Sequence, residues 1–261
     1  MTPDPVVIAV PAYNAGVTLE KTLGRIPAGV AGEARLLVVD DGSTDDTAEA
    51  LARAGAAFPS LVVLRHSKNR GYGAAVKTLL THALSMGAGT VVILHADGQY
   101  SPERIPELLA PLKEGSADLV QGSRMLAGGA LSGGMPFYKY AANKLLTFLE
   151  NRAFGMRLAE FHSGYMLYSR ATLAAIPYEG LSDSFDFDLE MIVCARILGL
   201  RIAEVAIPTI YAGEVSHLDP IGYGLDVLAV VRRYRRGRYH DLLGVERTNR
   251  RAAPRQAVEK G

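Results

Sequence analysis

Carboxylates, amides and basic side chains collect in a few short stretches of this sequence, each at the end of an apolar run. In residues 90–100, TVVILHADGQY, the run Val91, Val92, Ile93 and Leu94 gives way abruptly to His95, Asp97 and Gln99. A carboxylate followed two residues later by a side-chain amide can hold a hard divalent cation against phosphate. The plainer alternative is a loop whose Asp turns the chain and caps the next helix, and Asp-Gly taken alone favours it. Upstream, Asp40 and Asp41 follow the run 36–39. A carboxylate there can cap the following helix or accept the N–H of a nucleobase. Tyr13 and Asn14 follow the run 6–10 in PAYNAG, and Arg70 and Lys77 flank the start of KNRGYGAAVKTLL. The glycines of that stretch permit close backbone approach to a ligand, while the bland reading of its basic residues is a solvated face. Ser123 and Arg124 close the run 118–122, and Asp183, Asp186, Asp188 and Glu190 lead into an apolar helix, where carboxylates are stabilised by the helix dipole.

Strands followed by helices must position these groups. Strands are predicted over 6–10 (ended by Pro11), 36–39, 61–64, 91–94, 118–122, 161–168 and 201–210. Between them lie a helix with Leu19, Leu23 and Ile26 on one face, a helix over 44–56 capped by Ser43 or Thr44, and a long helix ending at Met86. Ser101 caps a helix with Pro102 in its first turn that reaches Lys113. The alternation implies an α/β fold, a mostly parallel central sheet with helices on both faces in a single domain. All the polar clusters then share the carboxyl edge of the sheet, where open α/β sheets bind ligands. Neither G-x-G-x-x-G nor Gly-Lys-Ser/Thr follows the first strand, which disfavours the dinucleotide fold and the P-loop.

After Arg124 the texture changes. AGGALSGG, residues 127–134, reads as a flexible connector. Residues 136–154 form a helix in which Phe137, Tyr140, Leu145, Phe148 and Leu149 are interleaved with Lys139, Lys144 and Arg152. That mixture suits a membrane interface or packing on the sheet, and the lack of a strongly charged face tips the reading toward packing. Residues 181–200 hold the carboxylate-led helix, 213–220 a loop with Glu214 and His217, and the last helix ends in the basic RRYRRGRYH. With 28 basic against 27 acidic residues in 261, nothing global marks a nucleic-acid binder. The single cysteine, Cys194, reads as a buried thiol, which fits a reducing cytoplasm. No run approaches the ~20 apolar residues of a membrane span, and no basic region opens a signal peptide.

PAYN, VVDDGSTDDT, NRGYGAA, the strand with HADGQ, and GSR, in this order at successive strand ends, resemble the family-2 glycosyltransferases, in particular the dolichol- or polyprenyl-phosphate sugar synthases. FHSGYMLYSR, FDLEM and AEVAIP extend the likeness to about residue 210. The resemblance implies a glycosyltransferase A-type fold over 1–240, with a nucleotide-binding half (1–124), an acceptor half (125–240) and a polar, disordered tail (241–261). It implies a nucleotide-sugar donor bound by Pro11, Tyr13, Asn14, Val39, Asp41, Arg70, His95, Ala96 and Arg124. Mg2+ or Mn2+ would sit on the diphosphate, held by Asp97 and Gln99, with His217 as a further ligand. The motifs depart from the family at His95, where Asp-x-Asp would have its first carboxylate, and at Ala15, where an acidic residue often stands. The implied activity is inverting transfer of a hexose to a polyprenyl phosphate or another glycosyl acceptor, with Asp97 catalytic and Asp188 the base if the acceptor is a hydroxyl. Peripheral contact with the inner face of the membrane is expected through residues 136–154 and the basic end of the last helix, Arg232 to Arg238, where aromatic and basic residues together favour an anionic interface. The alternatives are a sugar-1-phosphate nucleotidyltransferase, whose basic Gly-rich loop PAYNAG lacks, and a non-catalytic nucleotide-sugar-binding protein, which His95 would suit.

Overall fold

Residues 5–126, 129–208 and 220–247 are described by the structure, a computed structural model. Its first half alternates β1 (Val6–Ala12), α1 (Leu19–Gly24), α2 (Ala28–Glu33), β2 (Arg35–Asp40), α3 (Thr47–Ala57), β3 (Val62–Arg65), α4 (Tyr72–Ser85), β4 (Thr90–Ile93), α5 (Ile105–Lys113) and β5 (Leu119–Ser123). The second half is mostly helical, with α6 (Gly129–Ser132), α7 (Phe137–Phe154), β6 (Met166–Ser169), α8 (Arg170–Ala175), α9 (Phe187–Ile197), β7 (Ile202–Ala206), α10 (Pro220–Arg236) and α11 (Arg238–Leu243).

Among the described residues, seven strands form one sheet in the order β3-β2-β1-β4-β6-β5-β7. Only β6 runs against its neighbours, lying antiparallel between β4 and β5. The central strands are apolar on both faces, as strands covered by helices on either side must be. Alternate residues serve the two faces. Val7, Ala9, Leu37, Val39, Val91 and Ile93 pack with α4 and α9, whereas Ile8, Val10, Leu36, Val38 and Val92 pack with α1, α3 and α5. Each Val, Leu or Ile among them, fully buried, contributes about 1.5–3 kcal/mol.

Several expectations need correction. β1 continues through Pro11 to Ala12, because β4 pairs with it only as far as Ala9, so the missing N–H of Pro11 interrupts no ladder on that side. α3 starts at Thr47 instead of Thr44, since residues 43–46 are engaged in the turns described below. β6 is four residues long and starts at Met166, with Phe161 and Tyr165 buried ahead of it. The stretch 127–134 contains α6, whose Ala130 is fully buried, so it is more than a connector.

α7 does not bury its aromatic face: Phe137 is 74% exposed, Leu145 61% and Phe148 65%. Only Thr147, Glu150, Ala153 and Phe154, on the other side of the helix, are buried. At the C-terminus, α11 carries ordered helix to Leu243, past the expected start of the tail, because Tyr239 is buried and bonded to Glu190. His217, Glu214 and most of the tail lie outside the described residues. Among the described residues, no helix is long and apolar enough to cross a membrane.

Candidate active site

The turns after β1 and β2 lock to each other. Asn14, with φ 50°, accepts from the backbone N–H of Thr44 at 3.0 Å through Oδ1, and its own N–H donates to Ser43 Oγ at 2.9 Å. Thr47 Oγ accepts the N–H of Ala15 at 2.8 Å. These bonds explain why Ser43 and Thr44 are not caps of α3. They also hold Tyr13, 42% exposed, at the tip of β1 as an accessible flat ring. Pro11 is half-buried beside it. Val39 is fully buried in the core, so only its main chain can meet a ligand.

Asp41 is almost fully buried and is committed locally. One oxygen lies 2.5 Å from His66 Nδ1, and the backbone N–H groups of Arg70 and Gly71 donate to the carboxylate at 3.0 Å each. The carboxylate therefore shapes the loop 66–71 and leaves the Arg70 side chain exposed at the rim. The glycines of this loop approach the chain's own backbone, where a ligand was expected. A Cβ on Gly71, whose φ is 97°, or on Gly73 would collide with the carbonyls of Asp183 and Ser182. The N–H of Gly73 donates to Asp183 O at 2.8 Å, which caps the start of α4 from within. Nor is Lys77 solvated: it donates to Leu181 O at 2.9 Å and pairs with Asp183 at 2.5 Å.

At the end of β4, Asp97 is half-buried and its Oδ1 accepts the N–H of Gln99 at 2.9 Å, closing a tight turn around Gly98, φ 76°. Ala96 is buried, and its carbonyl accepts from Thr22 at 3.4 Å. His95 points inward: its Nε2 lies 3.1 Å from Tyr72 Oη, and its ring meets Tyr100 edge-on at 5.0 Å. Burial lowers its pKa, a pull that the nearby Asp97 carboxylate and a backbone hydrogen bond with Gly164 oppose.

Asp188 is buried at the start of α9, where Tyr72 donates to Oδ2 at 2.7 Å and Tyr168 to Oδ1 at 3.4 Å. Burial raises its pKa to about 7, against the two phenol hydrogen bonds. Its hydrogen-bond partners are two tyrosines, and it stands in the first turn of α9. The neighbouring carboxylates are also committed. Asp186 pairs with Arg233 at 2.6 Å, and Glu190 accepts from Tyr239 and from the N–H of Ser182, both at 2.6 Å.

Arg124, at the end of β5, is gripped by Glu160. The Arg124 N–H donates to Oε2 at 2.8 Å, Nε to Oε1 at 3.1 Å, and Nη2 to the His162 carbonyl at 2.7 Å. Glu160 is fully buried, which alone would raise its pKa, but the Arg124 guanidinium prevails and holds it below the usual range. Residue-by-residue reading of the sequence missed Glu160, His66 and Tyr72 as parts of this site. Tyr72 lies within the quoted motif NRGYGAA and Glu160 adjoins FHSGYMLYSR, but no spacing rule joins Glu160 to Arg124.

The donor set fits a divalent cation in one specific sense. Asp97 is a partly exposed hard oxygen donor on a rigid turn, and a diphosphate would bring further oxygens of its own. Among the described residues, no three His, Cys, Asp or Glu side chains converge into a closed metal cage.

This sheet order, with its one reversed strand and its polar carboxyl edge, defines a glycosyltransferase A-type fold. Glucosyl-3-phosphoglycerate synthase from Mycobacterium tuberculosis, solved with Mn2+, UDP and phosphoglyceric acid, shares that fold at a TM-score of 0.67 and 20% identity, over 94% of this chain and 81% of that one. The chain belongs to glycosyl transferase family 2, whose family model matches residues 7–176. It is 33% identical to an undecaprenyl-phosphate mannosyltransferase of Micrococcus luteus, over 77% of this chain and 82% of that protein. It is 29% identical to a polyprenol monophosphomannose synthase of Mycolicibacterium smegmatis, over 77% of this chain and 76% of that one.

Proposed function

We propose that this chain is an inverting glycosyltransferase that moves a hexose from a nucleotide sugar to a polyprenyl phosphate at the cytoplasmic face of a membrane. The observation that carries the reading is Asp97, a half-buried carboxylate on a rigid turn at the carboxyl end of a central strand. Tyr13 and Arg70 stand at the same edge, and both have exposed side chains. The Tyr13 ring would stack on the base, with the Asn14 and Asp41 turns shaping the pocket and Ala96 close to the nucleotide. Mg2+ or Mn2+ held by Asp97 and Gln99, joined by His217, would offset charge developing on the departing diphosphate. Arg124 would add further positive charge.

In the transfer, an acceptor oxygen forms a bond to the anomeric carbon from the face opposite the diphosphate. The bond to the diphosphate breaks, and the nucleoside diphosphate leaves with its electron pair. A phosphate acceptor is largely ionised near neutral pH and needs little help from a base. Asp188, the candidate base for a hydroxyl acceptor, is bonded on both oxygens by tyrosines, which supports the phosphate. The lipid part is supported by the relatives' names and by α7. Its exposed Phe137, Tyr138, Leu145 and Phe148 lie with Lys139 and Lys144 on a helix that packs against α10, where Leu225 and Leu228 are also exposed. Apolar side chains among basic ones suit an anionic lipid surface, where each Lys or Arg contributes about 1 kcal/mol.

The test is turnover with a panel of nucleotide hexoses, with and without a polyprenyl phosphate. Nucleoside diphosphate released only with the lipid phosphate supports the reading. Pyrophosphate release would point to a nucleotidyltransferase, and donor binding without turnover to a non-catalytic protein.

A further inference from the structure

One large aromatic ring close to the Asp97 turn is left open to solvent. Phe185, in the loop that leads into α9, is 44% exposed. One face of its ring stacks on Tyr72, at 5.7 Å between centroids and 12° between planes. The Tyr72 ring in turn lies 5.2 Å from that of His95. Phe185 therefore stands two ring contacts away from the turn that carries Asp97.

A single exposed apolar side chain needs no explanation of its own. What sets Phe185 apart is that its loop is fastened on both sides of it. The Asp183 carbonyl accepts from the N–H groups of Gly73 and Ala74 at 2.8 and 3.3 Å, and Lys77 holds both the Leu181 carbonyl and the Asp183 carboxylate. Ser182 donates through its N–H to Glu190 at 2.6 Å, and Asp186 pairs with Arg233 at 2.6 Å. The loop is thus tied to α4, α9 and α10. Gly71 and Gly73 allow this, since a Cβ on either would strike the loop backbone. A ring held in place before any ligand arrives loses little freedom on binding one.

The surroundings of the ring select the kind of ligand. A hexose carries aliphatic C–H bonds on a face of its ring and hydroxyls around its rim, so it suits an electron-rich aromatic face set among polar groups. Ser182, Asp183 and Ser184 precede Phe185 in the same loop, the last two exposed. A prenyl chain needs contiguous apolar surface instead, which α7 and α10 offer through Phe148, Leu225 and Leu228.

We propose that the free face of Phe185 is the platform for the hexose of the nucleotide sugar, which makes Phe185 a specificity-determining residue for sugar-bearing over bare nucleotide. The inference rests on reading this sheet edge as the donor site.

The test is calorimetry on the full chain with Mn2+, using UDP-glucose and GDP-mannose, each beside its bare nucleoside diphosphate. Phe185→Ala should weaken the sugar nucleotide that the wild type binds by about five- to tenfold and leave the bare diphosphate within about twofold. Affinity for the bare diphosphate also reports that the variant is folded. Phe185→Tyr, which keeps a flat ring, should bind the sugar nucleotide as the wild type does. Phe185→Leu, which keeps apolar bulk over Tyr72 without a ring, should bind it as weakly as Phe185→Ala.

Equal losses for sugar nucleotide and bare diphosphate, or no loss for either, would overturn the proposal. So would wild-type affinity in Phe185→Leu, which would reduce the ring to packing. A Phe185→Ala defect confined to the KM for a polyprenyl phosphate would put the ring on the lipid and likewise overturn it. A wild type that binds neither the sugar nucleotides nor their diphosphates would bring down the functional reading and the platform with it, whereas normal wild-type binding without the Phe185→Ala contrast would bring down the platform alone.

Discussion

Replacing Asp188 by Asn should make the protein's stability less sensitive to pH, and the direction and size of the effect can be worked from the site. In the unfolded chain this carboxyl ionises near its ordinary value of 3.8, but in the folded protein burial raises it to about 7. Between those values the folded state holds a proton that the unfolded state has released. Its stabilising contribution is fully present below the lower value and is lost as pH rises through the upper one. A tenfold change in proton affinity corresponds to about 1.4 kcal/mol, so ionised Asp188 at pH ~8 costs on the order of 4 kcal/mol relative to pH ~3. The amide introduced by Asp188→Asn would be neutral throughout and can still accept from the Tyr72 hydroxyl. Other groups titrate in the same range, so the quantity to follow is the stability of Asp188→Asn minus that of the wild type. Urea unfolding at pH ~5 and ~7 should show this difference growing in the variant's favour by about 2–3 kcal/mol. Thermal melts should show the gap widening by roughly 5–10 °C. A difference that stays constant from pH ~5 to ~8 would refute the reasoning, because it would mean that Asp188 titrates alike in both states.

Asp97→Ala should abolish transfer and strongly weaken metal-dependent donor binding with the melting temperature within about 2 °C of wild type, since a half-exposed turn carboxylate holds no packing. Tyr13→Ala should raise the donor dissociation constant more than it lowers the saturated rate, as measured by calorimetry beside steady-state kinetics. By contrast, Asp41→Ala should weaken the donor and also destabilise the fold by about 2–4 kcal/mol in urea, because it strands His66 and the Arg70 and Gly71 amides. Gly164→Ala should lower turnover and disturb the His95 imidazole NMR signals, because the added methyl occupies the imidazole's place. Phe148→Glu should reduce co-sedimentation with anionic vesicles at low salt without affecting the melt, and an unchanged bound fraction would remove α7 from the membrane.

The sheet was legible because its strands obey local rules. Buried parallel strands are short apolar runs, and the polar residues that stop them, Tyr13, Asp40, Asp41, His95, Asp97 and Arg124, announce the edge at which they end. Strand partners follow no such rule. Nothing in the Met166–Ser169 stretch says that it enters between β4 and β5 and runs the other way. The exposure of α7 was equally hidden, because an aromatic row at helical spacing looks the same whether the sheet or solvent faces it.

Side-chain wiring was the least legible feature, and the reason is physical. A carboxylate can be satisfied by any donor that the fold brings within reach, so the sequence distance between partners is unconstrained. Asp188 and Tyr72 are 116 residues apart, and Glu160 and Arg124 are 36 apart. Read locally, Asp188 opens an apolar helix and Glu160 precedes a turn, and each has an adequate local explanation. Burial removes that adequacy. A charged group at the start of α9 or fully enclosed beside β5 must find its partners inside the protein. Asp188 finds only two neutral tyrosines, so burial prevails and it keeps its proton until about pH 7, whereas Glu160 finds an arginine that keeps it ionised. Two carboxylates at one sheet edge are thereby pushed toward opposite charge states. One steadies the cation beside the proposed diphosphate, and the other holds the Tyr72 hydroxyl that meets His95 beside Asp97.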